Sequence, residues 1–115
     1  MQTVVETAPY LAAAKNAGMT EAEMVAVVDA IAANPSIGDV IVGSGGCRKV
    51  RFAGRGKGKS GGYRVVTFYT GQDVPAFLLT VFGKGAKANL SKAETNGLAK
   101  FTTILVAQYR KGARK

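Results

Sequence analysis

The sequence predicts an α+β fold: an N-terminal helical hairpin packed on a small antiparallel sheet, with a C-terminal helix. Three observations predict it. Apolar residues recur at helical spacing before residue 34 and again after residue 90. Between them lie three short β-rich runs, at 48–53, 63–69 and 76–82, parted by glycine-rich or turn-forming stretches. The 115 residues suit a single domain, read as 1–115, and 47% of them are apolar, which supplies one core and argues against intrinsic disorder.

In chain order, a short edge strand is expected around Thr3 to Val5. Thr7 is a natural N-cap, Pro9 is tolerated in the first helical turn, and Gly18 is a natural stop. Thr20-Glu21-Ala22-Glu23 has the form of a capping box, and Met24, Val27, Val28 and Ile31 then fall on one helical stripe. Asn34-Pro35 ends this second helix, because the residue before proline is pushed out of the α region. Residues 35–46 form a connector, with Val40-Ile41-Val42 as its anchor and Gly43-Ser44-Gly45-Gly46 as a flexible turn.

Alternation splits the first β-rich run. Val50 and Phe52 share an apolar face, while Lys49 and Arg51 point the other way with Ala53. In the second run Arg64 shares a face with Val66 and Phe68, but the register between the two runs is not fixed by sequence. Residues 70–75 are short enough for an antiparallel connection to the third run. Ser91 to Glu94 repeats the capping box; Leu98, Phe101, Ile104 and Leu105 make an amphipathic helix to about Tyr109, with a frayed tail beyond.

Charge supplies the functional signal. Sixteen Lys and Arg stand against seven Asp and Glu, for a net charge of +9 and a pI near 10.0. From Arg48 to Arg64 the charged residues are Arg48, Lys49, Arg51, Arg55, Lys57, Lys59 and Arg64, with no carboxylate among them. Like charges on neighbouring strands repel, so a polyanionic partner is the expected reason for the cluster. That partner is a nucleic acid, a ribosome or an acidic protein.

Other chemistries are disfavoured. Ala53 to Ser60 approximates a phosphate-binding loop, and Gly56, Gly58 and Gly61 match G-x-G-x-x-G, but a β-rich run follows rather than a helix. With no histidine and one cysteine, metal sites and histidine-based nucleophilic catalysis are not expected, nor is any cofactor. Cys47 reads as a structural thiol, which fits a reducing cytoplasm. Apolar runs are too short to span a bilayer, and no signal peptide or membrane association is expected.

Arg48-Lys49-Val50-Arg51, the basic glycine loop, Gly62-Tyr63-Arg64-Val65-Val66 and Phe77 to Lys84 resemble the RelE/ParE toxin superfamily, most closely its HigB-like branch. The resemblance covers nearly the whole chain and is strongest over 38–92. It implies a type II toxin–antitoxin toxin of microbial-RNase-like fold, an endoribonuclease that cuts mRNA in the A site of the ribosomal small subunit without metal. A cognate antitoxin is implied as partner. Carried over by motif, Lys49 and Arg51 become candidate base and phosphate contact, Arg64 the principal transition-state cation, and Lys84 and Lys87 supporting phosphate contacts. Arg48, Arg55, Lys57 and Lys59 would hold the RNA backbone. The chain departs from RelE in carrying Gly85 after Gly83-Lys84, and Tyr63, Tyr69 and Tyr109 are the phenols available as general acid. The alternatives are a ParE-like gyrase inhibitor and a non-catalytic RNA- or ribosome-binding module.

Overall fold

Two threonines set the first two helices. In the computed structural model, which describes residues 2–53, 62–71, 73–83 and 90–113, α1 spans Ala8–Ala17 and α2 spans Glu21–Ala33. Thr7 Oγ1 accepts from the Tyr10 N–H at 3.4 Å and donates to the Leu78 carbonyl at 2.7 Å. One side chain thereby caps α1 and ties it to the sheet. Thr20 and Glu23 complete the capping box, with Glu23 N–H donating to Thr20 Oγ1 at 3.1 Å and Thr20 N–H donating to Glu23 Oε1 at 2.8 Å. Gly18 closes α1 in the left-handed region, at φ 75°.

The strands are β1 (Val4–Glu6), β2 (Asp39–Val40), β3 (Cys47–Phe52), β4 (Tyr63–Phe68) and β5 (Ala76–Gly83). They form one sheet in the order β1-β5-β4-β3-β2. Only β1 and β5 run parallel, so the sheet is mixed where sequence predicted an antiparallel one. A tight turn such as 70–75 dictates an antiparallel neighbour, whereas β1 reaches β5 only after the helical hairpin and three other strands. Nothing local to its three residues reveals its direction.

Each sheet face has its own core. Val50, Val65, Ala76, Leu78 and Val81 pack with Tyr10, Ala14, Val27 and Ile31 of the helical hairpin. Cys47, Val66, Phe68, Phe77, Leu79 and Phe82 form the opposite core, against which Leu98, Phe101, Leu105 and Val106 of α3 (Lys92–Ala113) pack. A β-bulge between Val66 and Thr67 reconciles the two: Val66 pairs with Thr80 but Thr67 with Leu78, leaving Leu79 as the extra residue. Leu78 and Val81, three apart, can therefore share the hairpin face while Leu79 and Phe82 serve the other. Strict alternation would have separated them.

The connector is more ordered than its glycines suggest. Ile41 packs on the second core, but Val40 and Val42 are exposed, Val42 at 91%, so a single residue is the anchor. Ser44 is buried, donating to the Ile41 carbonyl at 2.6 Å and accepting from the Cys47 N–H at 2.9 Å. Gly45, at φ 80°, lies under α3, where a Cβ would meet Ala99 Cα at 3.2 Å. Turn 43–46 is a docking point for α3 rather than a flexible hinge. α3 itself runs past the expected end at Tyr109, and Arg110 donates to Asp73 at 3.4 Å.

Gly38 locks β2 onto β3. It adopts φ 102°, and a Cβ there would sit 2.7 Å from the Lys49 carbonyl oxygen and 2.8 Å from Val50 Cγ2. Both the backbone conformation and the contact exclude a side chain. Gly38→Ala is expected to cost about 2 kcal/mol in urea denaturation, from the left-handed backbone plus the clash. An unchanged midpoint would mean that the β2 segment contributes nothing to stability.

Candidate nucleic-acid interface

The register missing from the sequence is Cys47↔Phe68, Lys49↔Val66 and Arg51↔Arg64. Directly opposed residues of an antiparallel pair share a face with Cβ atoms about 4.5–5.5 Å apart. Arg51 and Arg64 are therefore neighbours, and Lys49 lies two residues along the same face. On the other side of β4, Arg64 is opposite Phe82 of β5. A row Arg51–Arg64–Phe82 thus crosses the sheet.

The two arginines differ in surroundings. Arg51 is exposed, whereas Arg64 is only 8% exposed, and its Nη1 has no hydrogen-bond partner among the described residues. A buried guanidinium nitrogen with nothing to donate to is costly, and a second guanidinium opposite raises that cost. An oxyanion inserted between the two forks would satisfy both, since guanidinium groups grip phosphate oxygens bidentately.

Lys49 is half-buried at the edge of the same face and is opposite Asp39 of β2. Asp39, Val40, Ile41, Val42, Lys49, Leu90 and Thr95 line a cavity of about 310 Å³ beside it. Sequence reading did not bring Asp39 to the site, because a two-residue strand is too short for periodicity to reveal. Arg48 is turned to the opposite face by strand alternation, and its Nη1 donates to the Gly38 carbonyl at 3.0 Å. It is not assembled with Lys49, Arg51 and Arg64. Arg55, Lys57, Lys59, Lys84 and Lys87 lie outside the described residues.

The candidate phenols face elsewhere. Tyr63 packs against the hairpin core and its hydroxyl donates to Glu23 Oε1 at 3.4 Å, where burial and then the Glu23 charge push its pKa up. Tyr69 packs against that core too. The Tyr109 ring meets Phe77 edge-on, with centroids 6.4 Å apart, at the end of the sheet away from Arg64. No tyrosine joins the arginine row.

Cys47 is fully buried, and burial pushes its thiol up to about 11, partly offset by its contact with Ser44. This is a structural thiol. A thiol raised in the folded state favours folding below its ordinary value of 9.0, and that contribution is lost as pH rises toward about 11. Iodoacetamide at neutral pH is expected to spare Cys47 in the native protein and label it in urea; rapid native labelling would contradict its burial. A second expectation concerns Arg64. Arg64→Met is expected to raise the unfolding free energy in urea denaturation by about 1 kcal/mol or more, because it removes a buried unpaired charge. A clear loss of stability would assign Arg64 a packing role instead.

A face-sharing pair of arginines, one buried with an unpartnered Nη1, stands beside a half-buried lysine on a helix-backed sheet. Among the described residues no helix is long and apolar enough to cross a membrane. A family model described as the RelE toxin of the RelE/RelB toxin–antitoxin system matches residues 2–113, and the chain therefore belongs to the RelE toxin family.

Proposed function

We propose that this protein is a ribosome-dependent mRNA endonuclease, the toxin of a type II toxin–antitoxin pair in the HigB-like branch, acting in the cytoplasm and held in check by a RelB-type antitoxin. The observation that carries the reading is the unpartnered Nη1 of buried Arg64 opposite Arg51. Lys49 is the candidate base that takes the proton from the ribose 2′-hydroxyl. The 2′-oxygen then bonds to phosphorus, and the 5′-oxygen of the next nucleotide leaves, giving a cyclic phosphate. Negative charge grows on the phosphoryl oxygens at that moment, where Arg51 and Arg64 are positioned to stabilise it. Lys84 and Lys87 add further phosphate contacts, and Arg55, Lys57 and Lys59 hold the RNA backbone, whereas Arg48, turned to the other face, takes no part.

The leaving oxygen needs a proton, and the three tyrosines face away from the arginine row. We assign that proton to the ribosomal site, which accounts for a requirement for ribosomes. Purified protein is accordingly expected to leave free mRNA intact.

Primer extension on a translated reporter after brief induction tests the reading. Cuts confined to the translated region are expected with the native protein, and none with Arg64→Ala. Arg64→Lys is expected to lose about 2 kcal/mol or more of transition-state stabilisation, since an ammonium cannot reproduce the fork. Cutting that survives Arg64→Ala would overturn the assignment. Growth arrest without cuts, accompanied by DNA damage, would favour a gyrase inhibitor.

A further inference from the structure

The charge of this molecule is segregated. Residues 1–46 carry five carboxylates, Glu6, Glu21, Glu23, Asp29 and Asp39, against the single cation Lys15, although the whole chain is +9. The helical hairpin is therefore an acidic body attached to a basic sheet and C-terminal helix. Its outer surface also carries apolar side chains that a solvated helix pair does not need: Leu11 is 46% exposed and Val25 is 55% exposed.

These two features meet in one groove. Leu11 of α1 and Met24, Val25 and Val28 of α2 line an apolar depression of about 380 Å³, rimmed by Glu6, Glu21 and Asp29. Lys15 is not among its lining residues. Met24 and Val28 of its lining also pack inward on the core cluster that holds buried Tyr10 and Val27, so the groove is carried on well-packed helices. Exposed apolar area costs solubility unless something covers it, and an exclusively acidic rim selects what that is.

We propose that this groove is a docking site for a basic amphipathic helix of a partner protein. Leu or Met side chains on one stripe of that helix would fill the space between Leu11, Val25 and Val28, and flanking Lys or Arg would pair with Glu6, Glu21 and Asp29. The site lies on the helical-hairpin side of the sheet, with Arg51 and Arg64 on the α3 side. A partner held here would leave the cationic face open, so the chain can engage a polyanion and a basic protein segment together.

The test uses the purified full chain and two fluorescein-labelled peptides sharing one Leu stripe, one flanked by Lys and Arg, the other by Glu. Fluorescence anisotropy is expected to show binding of the basic peptide, weakening as salt rises, and about tenfold or more weaker binding of the acidic one. Glu21→Gln/Asp29→Asn should weaken the basic peptide about tenfold, and Val25→Ser about fivefold, with unchanged circular dichroism. Amide chemical-shift changes should centre on Leu11, Val25 and Asp29. Failure of the basic peptide to bind, equal binding of both, or binding indifferent to these substitutions would overturn the proposal. None of these readouts depends on RNA cleavage, so the catalytic assignment can fail while this one stands.

Discussion

The pairing register of β3 and β4 is the constraint on which the rest depends. Val50 opposite Val65 places both valines in the core under the helical hairpin. Burying two such side chains contributes about 1.5–3 kcal/mol each, which together outweighs the cost of about 1 kcal/mol or more that buried Arg64 carries. Packing therefore decides the register. Once it has done so, parity forces Arg51 and Arg64 together on the reverse face, whatever their mutual repulsion. The arginine pair is held in place by a hydrophobic core with which it shares no side chain.

That arrangement explains why the sheet is thick on one side and incompletely covered on the other. The helical hairpin packs behind β3, β4 and β5 and sets their positions. On the reverse face α3 lies over the aromatic and aliphatic end, with Gly45 and Ser44 shaped to receive it. Rigidity comes from one face and chemistry from the other, as preorganised electrostatic sites require.

Much of this was legible in the residues. Capping boxes at Thr20–Glu23 and Ser91–Glu94 both form, and the three principal strands fall within a residue or so of their expected bounds. Placement of Lys49 and Arg51 on one strand face followed from alternation alone. Their union with Arg64 did not, because register depends on contacts between segments. The 39–46 segment was misjudged for a related reason. Glycine reads locally as flexibility, yet Gly38 and Gly45 are glycines because β3 and α3 come too close for a Cβ. Arg48 belongs to the same basic run as Lys49 and Arg51, and composition alone cannot tell that it faces the other way.

The bulge at Leu79 has a meaning for the lineage of this fold. Bulged residues make a strand carry two registers, one before and one after, and here the two halves of β5 serve opposite cores in different phase. Gain or loss of one residue in β5 would exchange the sides on which Val81 and Phe82 stand, sending an aromatic ring toward the helices and removing it from the flank of Arg64. Loops of this protein can drift in length through descent, but β5 can change only in composition. Its count of residues is a fixed dimension, set by the need to satisfy two interiors with one strand.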